Sequence, residues 1–233
     1  MSAIATFLAS PKLSDPVAGP LGLFGGTFDP VHYGHLRLAE EAISHLGLQG
    51  VRWIPAGQPP HRAQPGVTAA QRLAMVLRST ADNQQFFVDA AEVEADAPSY
   101  TVHTLERLRR ELGAERSLVL LLGADAFAGL PTWHRWSDIL ELAHIAVSHR
   151  PGFPIAANNL SPVLAEAFRR RRPAAEEQLK SRPAGAIATF AMTQLAISAT
   201  QIRQLLANGL SARYLLPDTV LDYIRAHSLY RNP

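Results

Sequence analysis

Short apolar runs alternate with longer amphipathic stretches along most of this 233-residue chain. The runs have the length of strands, and the stretches between them repeat apolar residues at helical spacing. Such alternation predicts an α/β fold in which helices connect the strands of a mainly parallel sheet. The predicted strands are residues 21–24, 51–55, 86–88, 118–122, 145–148 and 187–190. The predicted helices are residues 33–46, 69–81, 101–112, 137–142, 200–207 and 217–226.

The composition fits one globular domain, with 47% hydrophobic and 18% charged residues. We expect a loose leader at residues 1–19 and one domain at 20–233, with a surface insertion at 151–183 and a small helical C-terminal lobe at 197–233. A net charge of +2 does not favour a nucleic-acid partner. The absence of cysteine excludes disulfides and thiolate chemistry. Without an evident signal peptide or membrane-length apolar run, we expect a cytoplasmic protein with no membrane partner.

Residues 25–36 form a glycine-rich segment between the first predicted strand and the first predicted helix. Gly25 and Gly26 let the backbone come close to a ligand. A helix start offers free N–H groups and a positive dipole end, which suit a phosphate. His32 and His35, three residues apart, lie on one face of the first helical turn. Together these features predict a nucleotide phosphate site.

A second polar segment, residues 197–203, opens the helix predicted at 200–207. Ser198 or Thr200 is suited to cap that helix, which is the commonest role of such residues. Arg203 would project from the first turn, near the free N–H groups. A guanidinium at this place makes the segment a candidate polyphosphate site.

The two segments resemble the two signature motifs of the nucleotidyltransferase superfamily, G-x-F-D-P-x-H-x-G-H and I-S-x-T-x-I-R. Residues 54–62, 98–101, 122–125, 130–136, 149–152 and 214–230 are further similar to bacterial nicotinate-nucleotide adenylyltransferases. The resemblance covers roughly residues 20–230, apart from the stretch between 151 and 183. It implies a Rossmann-like parallel sheet flanked by helices, with a small helical C-terminal lobe.

The resemblance also implies a reaction and its site residues. Nicotinate mononucleotide would be joined to the AMP part of ATP, giving nicotinate adenine dinucleotide and pyrophosphate in NAD biosynthesis. Mg²⁺ is expected to arrive with the co-substrate ATP, with no protein-bound metal. The expected catalytic residues are His32, His35 and Arg203. The expected binding residues are Gly25, Gly26, Thr27, Phe28, His61, Arg62, Thr101, Gly123, Asp125, Trp133, His134, Arg150, Ser198 and Thr200.

Several of these roles have a plainer alternative. Trp133 is implied to stack on the pyridine ring, although most tryptophans pack in a core. Thr101, implied to hold the nicotinate carboxylate, and Asp125, implied to bind ribose, would also serve as helix caps. Arg150 would equally suit a surface salt bridge. His61 and Arg62 are assigned to a loop near the phosphates, although residues of a proline-rich loop would equally be solvated.

Other functions stay open from sequence alone. His32 and His35 have a spacing found in zinc sites, but no third ligand is evident. A sister adenylyltransferase acting on nicotinamide mononucleotide or phosphopantetheine would share both motifs. A class I aminoacyl-tRNA synthetase fragment would share the His-x-Gly-His element, but this chain lacks the Lys-Met-Ser-Lys-Ser loop. A non-catalytic nucleotide sensor and a homo-oligomer both remain compatible with the sequence.

Overall fold

A computed structural model describes residues 19–59, 66–172 and 174–231. Within these ranges six parallel strands form one sheet in the order β3-β2-β1-β4-β5-β6. The strands are β1 (Leu21–Gly26), β2 (Gly50–Pro55), β3 (Phe86–Val88), β4 (Leu118–Gly123), β5 (His144–His149) and β6 (Ile187–Ala191). The predicted α/β class is confirmed, and every predicted strand is present.

Helices connect the strands and complete the C-terminal end. They are α1 (Tyr33–Leu46), α2 (Ala69–Thr80), α3 (Ala91–Glu94), α4 (Thr101–Leu112), α5 (Ala124–Ala128), α6 (Trp136–Leu142), α7 (Pro162–Arg171), α8 (Ala175–Ser181), α9 (Ala199–Ala207) and α10 (Asp218–Ala226). All the helices predicted from apolar spacing are present. The short helices α3 and α5 were not predicted, because four or five residues are too few to show a helical period.

The sheet separates two hydrophobic cores. Along β4, Leu118, Leu120 and Leu122 face one core, whereas Val119 and Leu121 face the other. Successive side chains of a strand point to opposite faces, so a strand covered on both faces is apolar throughout. This burial explains why the strands appear in the sequence as unbroken apolar runs.

The segment at residues 151–183 is the connection from β5 to β6, and it carries α7 and α8. Leu164 and Phe168 of α7 belong to one core, and Leu179 of α8 belongs to the other. The stretch expected to be a surface insertion therefore also supplies buried side chains to both faces of the sheet. The segment also contains four consecutive arginines, residues 169–172, of which Arg171 forms an ion pair with Glu141 at 2.5 Å.

The C-terminal helices α9 and α10 pack on the face of the sheet that carries α1 and α2. Val220 and Ile224 of α10 are buried in that core. The lobe also contacts α2 directly, because the guanidinium of Arg78 lies 4.3 Å from the ring centre of Tyr223. This packing brings the end of the chain to the loop that follows β1. No helix in the described ranges is long and apolar enough to cross a membrane.

Candidate active site

The predicted site residues that the structure describes gather at the carboxyl edge of the sheet, where β1, β4 and β5 all end. From the neighbouring strands β1 and β4 the sheet continues outward in opposite directions. In open α/β sheets such a switch point leaves a crevice in which ligands bind. The loop after β1 begins there at Gly26, and α5 begins there after Gly123.

The paired histidines lie in direct contact at the start of α1. His32 is the N-cap residue and His35 is the third residue of the helix, and their rings stack with centres 3.8 Å apart. The backbone N–H of His32 donates to Nδ1 of His35 at 3.2 Å. Burial lowers the pKa of His32 to about 4, so this ring is neutral at pH 7. The stacked pair is therefore a preformed polar surface without a fixed positive charge on His32.

Gly34 makes room for this arrangement. A Cβ atom at Gly34 would lie 3.0 Å from both Cε1 and Nδ1 of the His32 ring, which is closer than ordinary van der Waals contact. The glycine of the His-x-Gly-His element is thus needed beside the first histidine. The sequence marks the glycine but does not show which neighbour requires it.

Gly25 and Gly26, the last two residues of β1, have different surroundings, and a buried aromatic ring, Phe28, follows them. A Cβ at Gly26 would meet the Phe28 ring at 2.9 Å, whereas a Cβ at Gly25 would have no atom of the described residues within 4 Å. Phe28 adopts a φ of 50° and is 2% exposed, and its ring packs edge-on against His35 with centres 5.2 Å apart. The side chain of Phe28 therefore supports His35, and only its backbone is left to meet a ligand.

The second motif reaches the first through Arg203. Ser198 is the N-cap of α9 and its Oγ accepts from the N–H of Gln201 at 3.1 Å. Arg203 donates through Nη2 to Oγ1 of Thr200 at 3.3 Å and through Nη1 to the carbonyl of Asp29 at 2.7 Å. Two segments 174 residues apart are thus joined by one hydrogen bond.

Sequence reasoning missed three residues that hold these loops. Asp29 is 7% exposed, and its Oδ1 accepts from the hydroxyl of Tyr230 at 2.7 Å. Arg72 of α2 is 1% exposed and donates to the carbonyls of Thr27 at 2.8 Å and Gly57 at 2.9 Å. Asp29 and Tyr230 lie inside the segments that carried the resemblance. Arg72 has no comparable signal, since an arginine on an amphipathic helix is usually solvated.

Aromatic residues line the region assigned to the pyridine ring. Trp133 follows a single 3₁₀ turn, Leu130–Thr132, and packs partly buried against the core that contains Phe127. The exposed ring of His134 lies 4.6 Å from that of Tyr100, centre to centre. Tyr100 is the N-cap of α4, so the structure brings the Trp133 loop to the helix start at Thr101.

The remaining predicted residues are placed as follows. Tyr100 and Gly123 hold the N-cap positions, so Thr101 and Asp125 lie inside the first turns of their helices and are not caps.

Arg150 is exposed after β5 and forms no ion pair within the described ranges. His61 and Arg62 lie outside the described residues. In the part of the chain that is described, no group of three or more His, Cys, Asp or Glu side chains is arranged to hold a metal.

Comparisons with known proteins agree with this geometry. A family model described as cytidylyltransferase-like matches residues 23–205. A protein of Dechloromonas aromatica named "Probable nicotinate-nucleotide adenylyltransferase" is 74% identical over 213 residues, which are 91% of this chain and 98% of that protein. A protein of Pseudomonas paraeruginosa with the same name is 50% identical over 213 residues, with the same coverage.

A solved structure shares the fold. It is the nicotinic acid mononucleotide adenylyltransferase of Plasmodium falciparum complexed with NaAD, which is 15% identical and superposes with a TM-score of 0.66. The match covers 91% of this chain and 97% of that one. The chain therefore belongs to the cytidylyltransferase-like family, in the group named nicotinate-nucleotide adenylyltransferases.

Proposed function

We propose that this protein joins nicotinate mononucleotide to the AMP part of ATP, giving nicotinate adenine dinucleotide and pyrophosphate in NAD biosynthesis. The observation that carries the proposal is the junction of the two motifs. The Arg203 guanidinium, at 2.7 Å from the carbonyl of Asp29, lies beside the loop that ends in the His32–His35 pair. Cationic and N–H donor groups converging at one sheet edge suit a polyphosphate.

The reaction needs positioning more than proton transfer. A phosphate oxygen of the mononucleotide attacks the α-phosphorus of ATP, the new P–O bond forms, and pyrophosphate leaves in line. Because that oxygen is already ionised, no strong general base is required. His32, His35 and Arg203 are proposed to stabilise the charge that develops on the phosphates. An anion beside His32 favours its protonated form, so the low pKa of the free protein is expected to rise when ATP binds.

The glycine-rich loop is proposed to hold the ATP phosphates through its backbone. No atom of the described residues fills the space beside Gly25, which leaves room for a ligand, and Arg72 fixes the loop by binding the carbonyl of Thr27. Mg²⁺ is proposed to arrive bound to ATP, where it neutralises phosphate charge. The other proposed nucleotide contacts are Gly26, Phe28, His61, Arg62, Gly123, Asp125, Arg150, Ser198 and Thr200.

The acceptor is proposed to bind between the Trp133 loop and the start of α4. The pyridine ring would stack on Trp133, with His134 beside it. The nicotinate carboxylate would accept hydrogen bonds from the backbone N–H groups near Thr101, the first residue of α4. An amide is less suited to a site built from donors, so the acid is the expected substrate. A cytoplasmic location belongs to the proposal, because both substrates carry phosphates that do not cross a bilayer unaided.

The experiment measures pyrophosphate release from Mg-ATP with each of three acceptors: nicotinate mononucleotide, nicotinamide mononucleotide and phosphopantetheine. The proposal expects strong preference for the nicotinate compound, because only that compound carries the carboxylate. Activity with phosphopantetheine alone would overturn the assignment of the acceptor while leaving that of ATP. No release with any acceptor, from protein that still binds ATP, would favour a nucleotide sensor.

A further inference from the structure

Asp29 is the centre of a hydrogen-bonded group beside the phosphate site. Its Oδ1 accepts from the Tyr230 hydroxyl at 2.7 Å, and its Oδ2 accepts from the N–H of Gly66 at 3.0 Å. Arg203 binds the backbone carbonyl of the same residue through Nη1 at 2.7 Å. We call the side chains of Asp29, Tyr230 and Arg203, with the N–H of Gly66, the Asp29 clamp. The clamp joins four separate parts of the chain.

The distance between the two charged groups of the clamp is informative. Nη1 of Arg203 lies 3.7 Å from Oδ2 of Asp29, which is longer than the roughly 2.7–2.9 Å of a charge-assisted hydrogen bond. Tyr230 and Gly66 each donate to one carboxylate oxygen, which reduces the negative charge that Asp29 presents to the guanidinium. The side chain of Arg203 remains 35% exposed. Its remaining N–H groups are therefore available to a phosphate.

Tyr230 is suited to remain a donor in this arrangement. Burial, and then the neighbouring Asp29, raise the pKa of Tyr230 above its ordinary value, so the hydroxyl keeps its proton. Its ring also packs against the core formed with α10. Replacing only the hydroxyl would therefore keep the packing and remove one donor from Asp29.

We propose that Tyr230 is a positioning residue for adenylyl transfer: its hydroxyl satisfies the Asp29 carboxylate, which leaves Arg203 free to hold the phosphates of ATP. Without that hydroxyl, Asp29 draws Arg203 closer and withdraws it from the ligand. The inference rests on the proposed function. It gives the C-terminal end of the chain a part in a reaction that takes place in the loop after β1.

The first test compares Tyr230→Phe with the wild type and with Tyr214→Phe. Tyr214 belongs to the same lobe but is 78% exposed, so its substitution is a matched control. We expect Tyr230→Phe to lower kcat by about tenfold, less than the loss of a group that contacts the reacting phosphates. The KM for nicotinate mononucleotide is expected to stay within about twofold. An unchanged kcat together with a lower melting temperature would make the hydroxyl merely structural and overturn the proposal.

The second test asks whether Tyr230 acts through Arg203. In the Arg203→Ala background, Tyr230→Phe is expected to cause no further loss of kcat, because the positioned group is already gone. If the two losses multiply instead, Tyr230 acts independently of Arg203 and the proposal is wrong. Asp29→Asn removes the charge that would draw Arg203 away, so in that background Tyr230→Phe is expected to cause little further loss of kcat; a full tenfold further loss would also contradict the clamp.

A binding measurement separates this inference from the proposed reaction. A non-hydrolysable ATP analogue is titrated calorimetrically into the same variants without an acceptor. We expect Tyr230→Phe to weaken its binding about fivefold, and to have no effect when Arg203 is already alanine. Wild-type protein that binds the analogue but releases no pyrophosphate with any acceptor would refute the reaction while this comparison still tests the clamp. Equal affinities for wild type and Tyr230→Phe would overturn the clamp alone.

Discussion

Replacing Gly34 with alanine is expected to separate the position of the His32 ring from the stability of α1. Gly34 is the second residue of the helix, so alanine there meets no left-handed backbone. Its Cβ, however, would lie 3.0 Å from two atoms of the His32 ring. The ring must move by roughly 0.4 Å or more to restore an ordinary contact. The helix itself prefers alanine to glycine.

The displacement of the His32 ring lowers the free energy of unfolding, whereas the helix preference for alanine raises it. Alanine stabilises a helix interior by about 0.8–1 kcal/mol relative to glycine, and less near an end, which offsets the cost of moving the ring. We therefore expect the free energy of unfolding to change by less than about 1 kcal/mol. A misplacement of about 1 Å at a reacting centre costs roughly 10²-fold in rate. A shift of roughly 0.4 Å is expected to lower kcat on the order of tenfold.

The assay pairs pyrophosphate release at saturating substrates with urea denaturation. Gly19→Ala is the matched control, because among the described residues its Cβ would touch only the carbonyl of Gly47, at 3.4 Å, on the opposite edge of the sheet. That control is expected to keep the wild-type kcat. A wild-type kcat in Gly34→Ala would refute the view that the His32 position matters. A fall in unfolding free energy of several kcal/mol would show instead that Gly34 serves the fold.

Three further substitutions test individual side chains. Burial lowers the pKa of His32 from 6.5 to about 4. Between these two pH values the unfolded chain binds more protons than the folded one, so the free energy of unfolding of the wild type falls by up to about 3 kcal/mol as the pH is lowered. In urea denaturation at pH 6.5 and 4, His32→Asn is expected to show a smaller fall in the free energy of unfolding than the wild type. An equal fall in both proteins would contradict the lowered pKa of His32. His35→Ala is expected to lower kcat on the order of 10²-fold, and near-normal turnover would remove His35 from the mechanism. Trp133→Ala is expected to raise the KM for nicotinate mononucleotide much more than that for ATP, and equal effects would make the ring structural.

Most of the secondary structure was predictable because its signals are local. An apolar run such as residues 118–122 is long enough for a strand and is bounded by turn residues, and buried parallel strands carry apolar side chains on both faces. The switch from strand to helix around His32 and His35 was also visible, and the stacked pair lies where the three-residue spacing predicts. The order of the strands in the sheet is not encoded in any such local pattern.

Other features depended on contacts between distant parts of the chain. Phe28 sits in a polar motif, yet its ring is buried against His35 because a left-handed backbone turns it inward. Arg72 is buried because α2 packs beneath two loop carbonyls that need donors. From the sequence, neither residue can be distinguished from a ligand-facing ring or a solvated cation. Burial is set by what the neighbouring elements cover.

The fold class, the strands and helices, and the two motifs on which the proposed function rests are all readable from local sequence patterns. The contact of Arg203 with Asp29 across 174 residues, and that of Tyr230 with the same residue, emerge from the packing of the folded chain. Propensity and periodicity act over one or two turns of chain, so they specify elements. Contacts between elements follow instead from how the sheet orders its strands and from which helices cover each face, and these are set by burial of the whole apolar surface at once.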